Sequence, residues 1–469
     1  MSGLFSIGRS ALRGYTAALD TVSQNIANSE NGDYVRRAVR LGDATITGSL
    51  NPLYSVQSGL NGVAVGEIAR SGDEFLEASV RMSGAALVRA ETATSWLGAI
   101  ESGLDNAGEH VGKRLTEFYT RAQELSAVPF DSALRVTFIN EINSTAETFR
   151  RTADTMNLTK DQIGSRALSE VNGMTQSLEA LASINLDLRR TQPGTQAHAG
   201  LLDNRDSVLA VLSERLDVKI SLGDNGIATV SYADMEIAGV ATSAKLSMVD
   251  RPDGSFRIDV NGQEGKVPAN GMLAGLSRTR SAVTTELAQL DQLAEDFATQ
   301  VNSWHAGGVT DAGAAGKQLV TTGGGAAGIQ LIATKPEELA VADSTGKPNG
   351  NLVALAGLRT SGGIEQNWNQ LIAGHSNLVL AAQNEQAAAT ALDRNSRSRR
   401  LIRRFSSSLI CRRALAVNWR SRCSIWRWRR RTPSATSLTS STRRRFTASV
   451  KSMPRISRDS VTRARSRLR

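Results

Sequence analysis

Apolar or small residues at Leu4, Ala11, Tyr15, Leu19, Val22 and Ile26 fall at three- and four-residue spacing or its multiples. That stripe predicts an amphipathic helix at the start of the chain. The run NSENGD at 28–33 is rich in turn formers and stops it, and 35–46 then reads as extended or irregular. Helical period returns from residue 75. Ile100, Leu104, Ala107, Val111, Leu115, Phe118, Ala122 and Leu125 step by three or four, which predicts one continuous coiled-coil-like helix ending before Pro129. A second long helix follows, with Leu134, Phe138, Ile142, Phe149, Met156, Ile163, Ala167, Val171, Met174, Leu178 and Leu181 on one side, and ends near TQPG at 191–194. Joined by one short turn, the two are expected to pack antiparallel.

Between 216 and 262 the period changes to alternation. Val218, Ile220 and Leu222 precede a DNG turn, Ala228, Val230 and Tyr232 follow it, and KLSMVDRPDGSFRIDV reads as a further hairpin with PDG at its tip. Helix resumes through Val283, Leu287, Leu290, Ala294, Phe297, Val301 and Trp304. The Gly/Ala/Thr-rich stretch 306–328 reads as loop, with TTGGGAAG (321–328) a flexible linker, and a last helical pattern carries Trp368, Leu371, His375, Leu378 and Ala382. The predicted fold is mainly α with inserted β: an elongated bundle of long helices from both halves of the chain, a small β domain and a disordered C-terminal tail. The expected segments are 1–70, an N-terminal helix and turn region; 71–195, a long helical rod; 196–270, a helix plus the β domain; 271–304, the return of the rod; 305–350, a Gly-rich loop or small insertion; 351–393, a helical segment; and 394–469, the tail.

Charge separates that tail from the rest. The whole chain of 469 residues carries a formal +10, but residues 394–469 hold 23 Arg and one Lys against Asp459 alone, leaving the first 393 residues at −13. All 41 Gly precede residue 394, and both Cys follow it. The body therefore has no disulfide, thiolate metal site or thiol nucleophile. The opening MSGLFSIGRSALRG lacks a basic region followed by an apolar run, and no stretch of about 18 apolar residues occurs, so neither a Sec-type signal nor a membrane span is expected.

Candidate chemistry is sparse. His110, His198, His305 and His375 show no metal-binding spacing and read as scattered surface or interface histidines. GAAGKQ (313–318) fails as a phosphate loop, since Asp311 stands where the first Gly is needed and Gln318 where Ser or Thr must meet Mg²⁺. In LLDNRD (201–206), Asp203 and Asp206 share a helix face with Arg205 between them, a pattern that fits an ion-pair or capping role better than acid/base catalysis. No enzyme activity, cofactor or metal is expected.

NIANSENGDYVRR (25–37) resembles the motif of bacterial flagellar axial proteins, the rod, hook and hook-associated components. Asn25, Ile26, Ala27, Asn28, Tyr34 and Arg36 fall in register with it, while Asp33 stands where that motif usually has Gly. AGLLDNRDSVLAVLSERLDVKISLGDNG (199–226), the stretch 270–310 and PEELAVADSTGKPNGNLVALAGL (336–358) are similar to the hook-associated protein 1 family in particular. The resemblance covers about residues 1–393. It implies a non-enzymatic subunit of the hook–filament junction, exported without a cleaved signal peptide by the flagellar type III apparatus and lying outside the cell in the flagellum. The implied partners are further copies of itself in an axial lattice, the hook protein, a second junction protein, the export apparatus and a secretion chaperone, with no nucleic acid and no membrane. Leu4, Tyr15, Leu19, Val22, Asn25, Ile26, Asn28 and Tyr34 are then the expected assembly residues, because an apolar stripe on a terminal helix has to be buried against a neighbour.

The family ends in a long apolar-striped helix that pairs with the N-terminal one. Here the pattern vanishes after Leu392, and 394–469 combine 23 Arg, 22 Ser or Thr and no Gly. Such text is typical of a GC-rich gene read out of frame. One codon choice for WRWRRRT (426–432), shifted by two bases, reads Leu-Ala-Leu-Glu-Thr-Ala-Tyr, a helix-like string. The alternatives are a basic nucleic-acid-binding arm with interleaved aromatics and a polybasic membrane anchor.

Overall fold

The computed structural model describes residues 2–43, 62–105, 108–361 and 363–405. The chain divides into two units, Met1–Arg404 and Phe405–Arg469, and the described residues fall almost wholly in the first. The expectation of a disordered tail beyond 405 lies outside the described residues.

The chain starts with helix α1 (Ser2–Ala27) and the strands β1 (Arg37–Asp43) and β2 (Val63–Arg70), which pair antiparallel. Helices α2 (Glu74–Asp105), α3 (Val111–Ala127), α4 (Ser132–Arg190) and α5 (Gln196–Arg215) follow. At 59 residues, α4 is roughly 90 Å long at 1.5 Å per residue. Two three-stranded antiparallel sheets come next: β3 (Lys219–Leu222), β4 (Ala228–Tyr232) and β5 (Met235–Ala238), then β6 (Leu246–Asp250), β7 (Phe256–Val260) and β8 (Gln263–Lys266). Helix α6 (Gly271–Ala306), strands β9 (Val320–Thr321) and β10 (Gln330–Leu331), and helices α7 (Gly350–Ser361) and α8 (Ile364–Phe405) complete it.

The predicted antiparallel hairpin is α3 and α4. Arg114 faces Glu141 at 3.6 Å and the rings of Phe118 and Phe138 stack at 5.4 Å, so one helix counts up as the other counts down. Phe297 and Trp304 of α6 meet the same aromatic cluster, at 5.4 Å from Phe118 and 5.8 Å from Phe138. Both halves of the chain thus supply one core. α8 lies antiparallel on α2, with Arg89 paired to Glu385, Ser83 to Asp393, Ser79 to Ser396 and Arg400 to Glu77. It passes through position 393, where the sequence pattern predicts its end, and runs on to Phe405.

Two expectations are corrected. The single helix through Ile100 to Leu125 is two helices. His110 is extended at φ −109° and ψ 163°, its Nδ1 accepts the Lys113 N–H at 3.2 Å to cap α3, and Gly108 sits at φ +83°. The apolar phase survives the break because Ile100, Leu104, Val111 and Leu115 all bury into one core. The Gly-rich stretch read as a flexible linker is packed. Ala326 and Ile329 are fully buried, and the Ala326 N–H donates to the Asp291 carboxylate at 2.7 Å.

The β unit is docked on α4 by a buried asparagine. Asn185 Nδ2 donates to the carbonyls of Ala228 and Gly239 at 2.7 and 2.9 Å, and its Oδ1 accepts the Ala228 N–H at 3.0 Å. On the other side Gly271 opens α6 at φ +78°, with the Arg215–Leu216 peptide so close that an added Cβ would lie 2.7 Å from a backbone carbon. Only Gly fits there.

Candidate assembly surface

α1 has two faces of different character. One lies on the hairpin: Gly14 is buried where a Cβ would meet Leu41 at 3.3 Å, Thr21 is buried, and Ser10 accepts the Val63 N–H at 3.0 Å. The opposite face carries Phe5, Leu12, Tyr15, Leu19, Val22 and Ile26, between 51% and 79% exposed. Their spacing of 7, 3, 4, 3 and 4 is that of a heptad seam, so they form one continuous apolar line on the helix. Tyr15, Leu19, Val22 and Ile26 were anticipated from the sequence, whereas Phe5 and Leu12 were not. Leu4 lies in α1, with its side chain outside the described residues; Ala11 is half-buried at the edge of the seam.

The three polar residues expected beside them are half-buried and make hydrogen bonds within the chain. Asn25 Oδ1 accepts both the Arg37 N–H at 2.9 Å and the Tyr34 hydroxyl at 2.9 Å, while Asn25 Nδ2 donates to the Arg37 carbonyl at 2.8 Å. Asn28 Nδ2 donates to the Gln24 carbonyl at 3.0 Å, closing the end of α1. Burial holds the Tyr34 phenol above its ordinary pKa, with Arg37 pulling it down and Asp203 pushing it up. It therefore stays protonated and able to donate. The motif N-x-x-N…Y-x-x-R supplies the joint that fixes the chain leaving α1 onto the hairpin.

A chain of buried charges carries that joint to the body. Arg37 Nη2 lies 2.6 Å from one oxygen of Asp203, and Arg70 Nη2 lies 2.7 Å from the other. The same Arg70 nitrogen reaches Asp206 at 2.8 Å, and Asp206 is closed by Arg205 at 2.6 Å. The Arg37 guanidinium also covers the Tyr34 ring at 4.8 Å. The ion-pair reading of LLDNRD holds, but its partners, 133 and 166 residues away for Asp203, had no signal in the sequence.

The histidines are corrected from surface to interior. His198, His305 and His375 are buried and hydrogen-bonded; His110 caps α3 and stacks on Trp368 at 6.2 Å. Burial lowers the His305 pKa. At His375 burial pushes down, but the hydrogen bond and charge of Glu286 outweigh it, and the net direction is up. No cluster of three or more metal-ligating side chains and no helix long and apolar enough to cross a membrane occur among the described residues.

Residues 97–320 match the family described as flagellar hook-associated protein FlgK helical domain. The flagellar hook-associated protein 1 of Bacillus subtilis is 24% identical over 384 residues, covering 74% of this chain and 75% of the relative. The proteins of the same name from Salmonella typhimurium and Escherichia coli are 26% and 25% identical, each over 69% of this chain and 60% of the relative. The solved structure of the flagellar hook junction protein FlgK from Burkholderia pseudomallei aligns with 52% of this chain and 46% of its own, at 20% identity and a TM-score of 0.47. The chain is thus similar to bacterial flagellar axial proteins and, among those, to the hook-associated protein 1 family, whose helical-domain model matches residues 97–320.

Proposed function

We propose that this chain is a structural subunit of the flagellum that self-assembles at the hook–filament junction, with the seam of α1 as its subunit contact. The observation that carries the reading is the line Phe5, Leu12, Tyr15, Leu19, Val22 and Ile26, apolar and exposed on a helix whose other face is already packed. Burying a large apolar side chain contributes about 1.5–3 kcal/mol, so a six-residue seam is a strong drive toward a neighbouring helix even after the cost of association. The neighbours this reading names are copies of the same chain, the hook protein on one side and a second junction protein on the other. Delivery is by the flagellar export apparatus with a secretion chaperone. The role is mechanical and uses no cofactor and no catalytic step.

The same reading treats residues 394–469, the last turns of α8 included, as text from a shifted frame, replacing a helix that would pair with the seam. The test is complementation: a frame-restored gene recovers filament attachment and swimming in a strain lacking its own copy, and the same gene carrying Leu12→Asp and Leu19→Asp does not. Full motility with both aspartates in place would remove the seam from the account.

A further inference from the structure

The residues that set the seam's position lie outside it. We propose that Asp203 is a positioning residue: through Arg37 and Arg70 it clamps the β1–β2 hairpin, and with it α1, to α5 in one orientation. The inference adds to the proposed function the device that aims the assembly helix, and it rests on that reading only for its biological meaning.

Three observations converge. First, the clamp holds both strands of the hairpin at one level, since Arg37 and Arg70 are cross-strand partners in the β1–β2 register and each takes one oxygen of the same carboxylate. Second, the clamp is continuous with α1. Asn25 binds the backbone of Arg37 on both sides, so the residue whose side chain reaches Asp203 is the one that α1 holds. Third, the other direct ties among the described residues include the same Arg70 nitrogen on Asp206 at 2.8 Å and the side chain of Gln196 on that of Gln24 in α1. Ile68 N–H donates to the Gly194 carbonyl at 2.8 Å, and Asp33, in the turn before β1, accepts the Ser207 hydroxyl at 3.0 Å. Without the shared carboxylate, Arg37 would lose its ion pair to α5, while Arg70 would keep its pair with Asp206.

The arrangement is poorly suited to adding bulk stability. Arg37 Nε and Arg70 Nε are buried and have no hydrogen-bond partner among the described residues, a desolvation that a plain apolar contact would avoid. What buried, bidentate charge provides better than an apolar patch is a single geometry. An apolar contact tolerates sliding, whereas one carboxylate shared between two guanidiniums does not.

Amide hydrogen exchange on the full chain, in solution and without filaments, tests this separately from the assembly test. In Asp203→Asn, exchange should rise roughly tenfold or more at amides of 35–43 and 63–70, while protection in α4 and α6 stays at its wild-type level. Asp203→Glu, which keeps the charge, should recover most of the hairpin protection. Unchanged hairpin exchange in Asp203→Asn overturns the clamp. A uniform loss of protection across hairpin and helices, which Glu fails to separate, overturns it too, because Asp203 would then be a general stabiliser. Neither result bears on whether α1 is the assembly surface, and a failure of the complementation test leaves the exchange result standing.

Discussion

Asn25 grips Arg37 from both sides, its Oδ1 accepting the Arg37 N–H at 2.9 Å and its Nδ2 donating to the Arg37 carbonyl at 2.8 Å. Asn25→Ala removes these two bonds and the one from Tyr34, leaving a half-buried backbone amide and carbonyl unmatched. The expected loss is about 1–3 kcal/mol of local stability, seen as faster amide exchange at 34–38 with the melting of the helical body unchanged. Asn25→Asp should recover only part, because a carboxylate can still accept from the Arg37 N–H and the Tyr34 hydroxyl but cannot donate to the Arg37 carbonyl.

Exposed and core apolar residues should respond oppositely to the same class of substitution. Leu19→Ser and Ile26→Ser lie on the open seam and should shift the isolated chain's unfolding free energy by no more than about 0.5 kcal/mol. Phe149→Ala, fully buried against Phe297, should cost about 3–5 kcal/mol. Denaturant unfolding measures both. A seam substitution as costly as the core one would mean that the seam is covered within the chain itself.

His375 gives the body a pH dependence of defined sign. Its folded pKa is raised above the ordinary 6.5, burial being outweighed by Glu286, so its protonated pair with Glu286 contributes stability that is fully present below 6.5 and is lost as pH rises through the raised folded value. His305 acts in the other sense. Its folded pKa is lowered, so its contribution is present above 6.5 and is lost as pH falls through the lowered value. Comparing His375→Gln with the parent chain isolates the first effect. The stability difference should be largest at the acidic end and shrink as pH rises; a difference that grows with pH contradicts the assignment.

The seam and the clamp differ in how far the sequence announces them. Helical periodicity is local, so α1, α4 and α6 could be read from spacing alone, and so could the exposed line from Tyr15 to Ile26. Phe5 and Leu12 escape that reading because Leu4 and Ala11, one residue out of phase with the open face, fit the same spacing. The break between α2 and α3 was hidden for a related reason: both helices bury into one core, and the apolar phase of Leu104 and Val111 carries across a gap set by backbone geometry at Gly108 and His110. The clamp was invisible because its pairings span 133 and 166 residues, and no local pattern encodes which carboxylate an arginine will find. The buried histidines were misplaced likewise, their partners Glu286, Ala340 and Asn225 lying on other elements.

The arginine-rich tail has its own prediction. The nucleotide sequence from codon 393 onward, read in the other two frames, should contain an apolar heptad pattern. A chain ending at residue 405 should lose any salt-sensitive affinity for DNA that the full chain has, because the excess of positive charge lies beyond it. If no frame carries a heptad, the shifted-frame reading gives way; if DNA binding survives the truncation, the reading of the tail as a nucleic-acid-binding arm gives way.

The central claim is that the chain is a junction subunit, and the place where the protein ends up tests it most directly. Immunogold electron microscopy on sheared flagella, from a strain whose only copy is the frame-restored gene, should label the boundary between hook and filament and leave the filament shaft bare. Label found only in the cell fraction, with hook–filament boundaries unlabelled on intact flagella, would contradict it.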